Sequence, residues 1–319
     1  MRAAHGRDPP RRLCDTPRHG MLRAVNYAQL LFPDFSLILC GYLICRYTPL
    51  NRSVWQPVES LVYYLLFPVL LFQSIVKSPI DLGEAASLVA AGLGTGLCGV
   101  ALAYSLPHLP WLGRHIDRRD HAAAAQVAFR FNSFIVLALA DRLAGAQGLL
   151  MVAVLIGVCV PVLNVAAVWP MARGSQQGFV RELLRNPLII ATATGLAANL
   201  LGFRIPPWLE PSVSLALGLM AAGAGMQFGL LTRSKLLSAS VLFIRHLAQP
   251  LIAWAFARLL RLDATQTTVL MAFCAVSTAS SCYVLAARMG YNGAYVAGLV
   301  TLSTVLGVAS LTFALGVLR

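Results

Sequence analysis

The sequence predicts an all-α polytopic membrane protein: ten transmembrane helices forming two inverted five-helix repeats, with helices 4 and 9 broken and crossing. Three observations carry this expectation. Almost the whole chain consists of apolar runs of membrane-spanning length, its second half echoes its first at a fixed offset, and one run holds an arginine and an asparagine at its centre.

Of 319 residues, 58% are hydrophobic and 12% charged, with a mean hydropathy of +0.72. A soluble domain keeps about a quarter of its residues charged, so the solvent of this chain is lipid. The net charge of +13 would otherwise suggest nucleic acid. Here the arginines fall mainly in short connections, as embedded chains require, and no nucleic-acid partner is expected. The cysteines are scattered without a CxxC pair and read as small buried hydrophobes rather than as disulfide or metal ligands.

A span needs about 20 apolar residues. Ten segments qualify, at 28–47, 54–76, 82–106, 122–143, 147–172, 186–203, 209–231, 237–260, 264–288 and 292–317. Residues 1–27 precede them as a tail; residues 1–20 hold five arginines and no apolar core, which reads as disordered or as a mis-assigned start rather than a signal peptide. The first repeat is then 28–172, a linker is 173–185, and the second repeat is 186–319. The connections after the odd-numbered spans hold eleven basic residues: Arg46, Arg52, Arg114, Arg118, Arg119, Arg173, Arg181, Arg185, Arg233, Lys235 and Arg288. The other side holds six: Lys77, Arg142, Arg204, Arg258, Arg261 and Arg319. The positive-inside rule puts the linker in the cytoplasm and both termini outside it.

A shift of 154 residues superposes Pro33 on Pro187, Gly41 on Gly195, Pro57 on Pro211 and Gln73 on Gln227. Five spans per half is an odd number, so the halves insert with opposite topology. Inverted repeats of this kind mark secondary transporters, whose solute sits near the midplane where corresponding helices are interrupted.

The fourth span of each half is where such interruptions are expected. Span four holds Gln126, Arg130, Asn132 and Ser133; span nine holds Ser277, Thr278, Ser280, Ser281 and Tyr283. An unpaired arginine in hydrocarbon costs roughly 2.5–3.5 kcal/mol even on the mild insertion scale, so Arg130 must face a protected cavity or a solute. Free amides at half-helix N-termini would suit a carboxylate. For span nine, hydroxyl residues also serve as ordinary helix glue, and that reading weighs equally. Gln73, Gln227, Arg245, Gln249 and Tyr283 are candidates for cavity or gating roles, Arg245 for a structural or gating one rather than direct ligation. His246 reads as a packing residue. Asn164, between Pro161 and Pro170, would satisfy backbone groups those prolines free. No Asp or Glu lies mid-span, which weakens a cation/proton antiporter. His108, His115 and His121 lack ligand spacing for a metal.

RFNSFIVLALADRLAG (130–145), PVLNVAAVWP (161–170), RNPLIIATATG (185–195) and STASSCYVLAARMGYN (277–292) together resemble the auxin efflux carrier family, which includes bacterial malonate and malate permeases. The resemblance runs from Met21 onward. It implies two inverted five-helix repeats with crossing helices 4 and 9, an architecture similar to the bile-acid sodium symporters. It implies that Asn132 is the crossover asparagine contacting a substrate carboxylate. Many relatives carry a proline at each crossover; here span four has none, and Ser277 stands where the second would be.

The expected function is a secondary carrier of a small organic anion (malonate, malate or an auxin-like weak acid) by alternating access, in a bacterial inner membrane with both termini periplasmic. An inside-negative potential favours anion exit by about 2.3 kcal/mol per charge per 100 mV, so export needs no coupling ion while import does. No cofactor is expected, and coupling to Na+ or H+ stays open. A sodium-coupled bile-acid-like symporter is the alternative. An intramembrane enzyme is disfavoured, since no nucleophile–base pair or HExxH motif is present. The partners expected are the anion and the bilayer; a homodimer is left open.

Overall fold

The computed structural model describes residues 27–66, 82–172, 187–205 and 234–318, with a few single or paired positions between these stretches. All regular structure among them is helical. The helices are α1 (Tyr27–Tyr47), α2 (Arg52–Leu61), α3 (Leu82–Ser105), α4 (Arg118–Ala124), α5 (Ser133–Ala172), α6 (Pro187–Leu200), α7 (Lys235–Phe243), α8 (Gln249–Leu259), α9 (Ala264–Ala275), α10 (Ser281–Arg288) and α11 (Gly293–Gly316). Among the described residues, five continuous or nearly continuous helical stretches are long and apolar enough to cross a membrane: Ala86–His108, Arg118–Gly145, Gln147–Ala172, Lys235–Leu259 and Gly293–Gly316. The chain is a multi-pass membrane protein. Residues 1–26 and the linker lie outside the described residues.

The order of elements in the described parts repeats. A long helix (α3), a connection, a broken span (α4, then the start of α5) and a long helix (the rest of α5) are followed later by α7–α8, a connection, the broken span α9–α10, and α11. Gly145, with φ +57°, separates the two helical parts of α5, a backbone conformation that glycine adopts without steric penalty. The breaks fall at 129–132 and 276–280, about 145 residues apart. The offset is shorter than the 154 of the proline and glycine matches because the connection before α4 is longer than the one before α9.

Local chemistry sets the helix ends. Asp117 caps α4 by accepting from the backbone N–H groups of Arg119 and Asp120. Asp263 and Gln266 form a reciprocal capping box on α9, and Asn292 caps α11 through Tyr295 N–H. Prolines inside spans leave the carbonyl four residues back without its donor. Hydroxyls on neighbouring helices supply one. Ser310 Oγ donates to His246 O at 3.1 Å, the carbonyl Pro250 cannot reach, and π-helical turns over Ile244–Ala248 accompany the defect. Tyr104 donates to Ala166 O, the carbonyl freed by Pro170.

The two broken spans occupy the centre. Residues 120–140 are buried without interruption, as are 268–279. The first broken span is therefore enclosed by protein rather than lipid, which answers how a membrane chain accommodates Arg130. Around it pack α3, the later part of α5, α7, α9 and α11. Three bonds and contacts gather one end of the bundle: Arg119 Nη2 donates to Gly290 O at 2.9 Å, its guanidinium stacks 5.5 Å from the Tyr291 ring, and Tyr291 OH donates to Met171 O at 3.1 Å. The start of α4, the end of α10 and the end of α5 thus share that end.

Candidate anion site at the crossing of the broken helices

At the first break the chain leaves a 3-10 turn (Ala125–Ala128), runs without regular structure, and re-enters helix at Ser133. Asn132 sets that restart: its Oδ1 accepts from the N–H groups of Phe134 at 3.1 Å and Ile135 at 3.3 Å, an N-cap in mid-membrane. At the second break α9 ends at Ala275, and Val276 is extended, with φ −62° and ψ 161°. The two stretches touch backbone to backbone, Asn132 N–H donating to Ser277 O at 2.9 Å. Gly307 of α11 makes room for this crossing, since a Cβ there would stand 3.2 Å from Ser277 N and 3.3 Å from its Cβ.

Each unwound stretch exposes backbone groups that no helix satisfies, and in lipid every one must find a partner. Val276 O accepts from Arg245 Nε at 2.9 Å and Nη2 at 2.6 Å. Arg245 is 1% exposed, and its cation lies at the C-terminal, negative end of α9, where the helix dipole favours it. Thr278 N–H donates to Ser303 Oγ at 2.9 Å, and Ser303 in turn lies 2.9 Å from His246 Nε2. These contacts give Arg245 a structural part in holding the second break open.

Arg130 sits just before the first break and is 6% exposed. Its Nη1 donates to Gln126 Oε1 at 3.0 Å and its Nη2 to Ser281 Oγ at 2.9 Å, with Cys282 Sγ 3.8 Å from Nη1. Gln126 Nε2 bridges Ala123 O and Cys282 O, at 3.0 and 3.1 Å, tying α4 to α10. Among the described residues neither Arg130 nor Arg245 meets a carboxylate. Two buried cations without counter-charge, beside the N-termini of α10 and the restarted α5, make the crossing a region of positive potential.

A cleft opens against Arg130. Its polar walls are Arg130, Ser133, Asn164 and Ser281, and its apolar walls Phe131, Val160, Leu163 and Ala279. The arrangement offers what a small anion needs: a guanidinium, hydroxyl donors and helix N-termini.

The expected site residues are distributed unevenly around it. Arg130, Ser133 and Ser281 line the cleft; Asn132 and Ser277 form the crossing beside it. Ser277 Oγ is buried without a partner. Thr278 is fully buried, its hydroxyl turned to Cys282 Sγ at 3.6 Å, and Ser280 closes the extended stretch half-buried. Tyr283 is buried on α10 away from the cleft. Gln249 packs against Gly99, its Nε2 unpaired. Gln73 is half-buried in the second span, and Gln227 lies outside the described residues. Two residues gain a place that spacing did not assign: Gln126 as the bridge that orients Arg130, and Asn164 as a wall of the cleft. Asn164 makes no hydrogen bond to carbonyls freed by the prolines; Tyr104 serves one of those instead.

Residues 112–315 match the family described as membrane transport protein. A protein of Rhizobium meliloti (strain 1021), named "Putative malonate transporter", is 24% identical over 333 aligned positions covering 91% of this chain and 95% of that protein. The matched segment contains both broken spans, the crossing and the whole cleft. The chain therefore belongs to the membrane transport protein family, that of the auxin efflux carriers.

Proposed function

We propose that this protein is a secondary carrier of a small organic anion, a dicarboxylate such as malonate, working by alternating access at the crossing of its broken helices. The single observation that carries the proposal is the cleft beside Asn132: a buried arginine with no carboxylate partner, walled by hydroxyls and a free amide, where two unwound spans meet. Arg245 is held by two bonds to Val276 O, whereas Arg130 meets only neutral side chains and lines the cleft, where a bound anion would supply its counter-charge. The R. meliloti relative's name supports a dicarboxylate as the first candidate.

In this reading the ten spans form two inverted five-helix repeats, 28–172 and 186–319, similar to the bile-acid sodium symporters, and one helix group rocks to expose the crossing to each side in turn. Arg130 compensates substrate charge, and Asn132 presents its side-chain amide nitrogen while its oxygen caps the helix. The basic connections are cytoplasmic in a bacterial inner membrane, and both termini are periplasmic. The protein carries its solute without chemical conversion.

The test is counterflow in proteoliposomes. Purified protein preloaded with malonate should accumulate labelled malonate, with sodium and pH varied to read coupling. No counterflow of any short organic acid, together with no thermal shift on adding them, overturns the proposal.

A further inference from the structure

Asn164 sits near the middle of the long second part of α5, 3% exposed, with its amide nitrogen buried and without a hydrogen-bond partner. Leaving such a group unpaired costs about 1–3 kcal/mol relative to an apolar side chain, and native interiors hold few of them. The local explanation fails, because Asn164 bonds to no backbone carbonyl in its proline-flanked helix. It lines the cleft together with Arg130, Ser133 and Ser281 and the apolar side chains of Phe131, Val160 and Leu163.

We infer that Asn164 is the second pole of the anion site: a short dicarboxylate lies with one carboxylate on Arg130 and Ser281 and its second carboxyl on the Asn164 amide, so that Asn164 selects two carboxyl groups over one. The inference rests on the proposed transport of organic anions and adds to it the residue that reads the far end of the substrate. Arg130 supplies the charge that any carboxylate would use. Its guanidinium carries five donors, and the Gln126, Ser281 and Cys282 contacts leave donors over for a ligand. Asn164 has a free donor and lines the same cleft as Arg130, with apolar side chains beside both. A monocarboxylate leaves that amide unpaired, and a methyl group against it gains nothing. A site built to hydrogen-bond one group rejects analogues lacking it for this reason.

The experiment compares malonate with propionate, which carries a methyl group where malonate has its second carboxylate. Wild-type protein and Asn164→Leu are reconstituted, and KM is measured for both acids, with monodispersity and thermal stability as folding controls. Asn164→Leu should raise the malonate KM by about 10- to 100-fold, the range of one hydrogen bond to a charged group, while the propionate KM stays within about twofold. Asn164→Asp, nearly isosteric, is the second variant should the leucine protein fail to fold; it should lose malonate transport more than propionate transport. Equal losses for both acids, or no loss for malonate, overturn the assignment of Asn164 and leave the transport reading standing. Wild-type protein that neither moves nor binds either acid overturns both.

Discussion

Asn132 performs two tasks that substitution can separate. Its side-chain oxygen caps the restarted helix through Phe134 and Ile135, while its amide nitrogen has no partner among the described residues. Asn132→Ala removes both functions, Asn132→Ser keeps a capping oxygen and removes the amide, and Asn132→Asp keeps the cap but adds a carboxylate. Losing the cap costs about 0.5–2 kcal/mol, whereas serine and aspartate cap nearly as well as asparagine. The backbone bond from residue 132 to Ser277 O survives all three. Stability should therefore fall only for alanine. Loss of a hydrogen bond to a carboxylate removes about 1.5–3 kcal/mol, which is about 10- to 150-fold in uptake kcat/KM. All three variants should show at least that loss, with aspartate the lowest because it repels the anion. The assays are labelled-malonate uptake in proteoliposomes and thermal unfolding of the same preparations. Serine or aspartate variants that transport like wild type would refute a substrate contact through the amide and leave Asn132 as a cap alone.

Three further outcomes test other parts of the site. Arg130→Gln should weaken malonate uptake more than propionate uptake, because a second negative charge gains more from the lost cation; equal losses would assign Arg130 to packing with Gln126 and Ser281. Ser310→Ala and Tyr104→Phe each leave a proline-freed carbonyl unpaired in the bundle and should lower apparent stability by about 1–3 kcal/mol in thermal unfolding, while their KM values hold. Gly307→Leu drives a side chain into Ser277 where even a Cβ is already tight, and should abolish transport in protein that remains folded, as judged by circular dichroism and gel filtration.

The membrane class, the five spans seen among the described residues and the interruption of the fourth span of each half were legible because hydropathy and charge act locally. A run of 20 apolar residues has few alternatives to a spanning helix, and an arginine in such a run demands a reason. Asn132 is singled out by the family resemblance, while its capping of the restarted helix emerges only from the structure. The role of Asn164 was not legible, since a polar residue between two prolines has an adequate local explanation until Tyr104 is seen serving the freed carbonyl.

Why the helices break, in the absence of proline at either break, is the deeper case. VSTAS contains no residue that forbids helix, and span nine could form one continuous rod by propensity alone. It is interrupted because its unwound backbone finds partners elsewhere: Arg245 on Val276 O, Asn132 N–H on Ser277 O, and Ser303 on Thr278 N–H. These partners come from three other spans, 25 to 145 residues away in sequence. Together they replace the intrahelical bonds that unwinding removes, and in lipid no water could have done so. The break is thus a property of the assembled bundle. On the proposed reading, a crossing held by exchangeable hydrogen bonds, rather than locked by a proline ring, can also trade partners with a ligand that offers carboxylate oxygens.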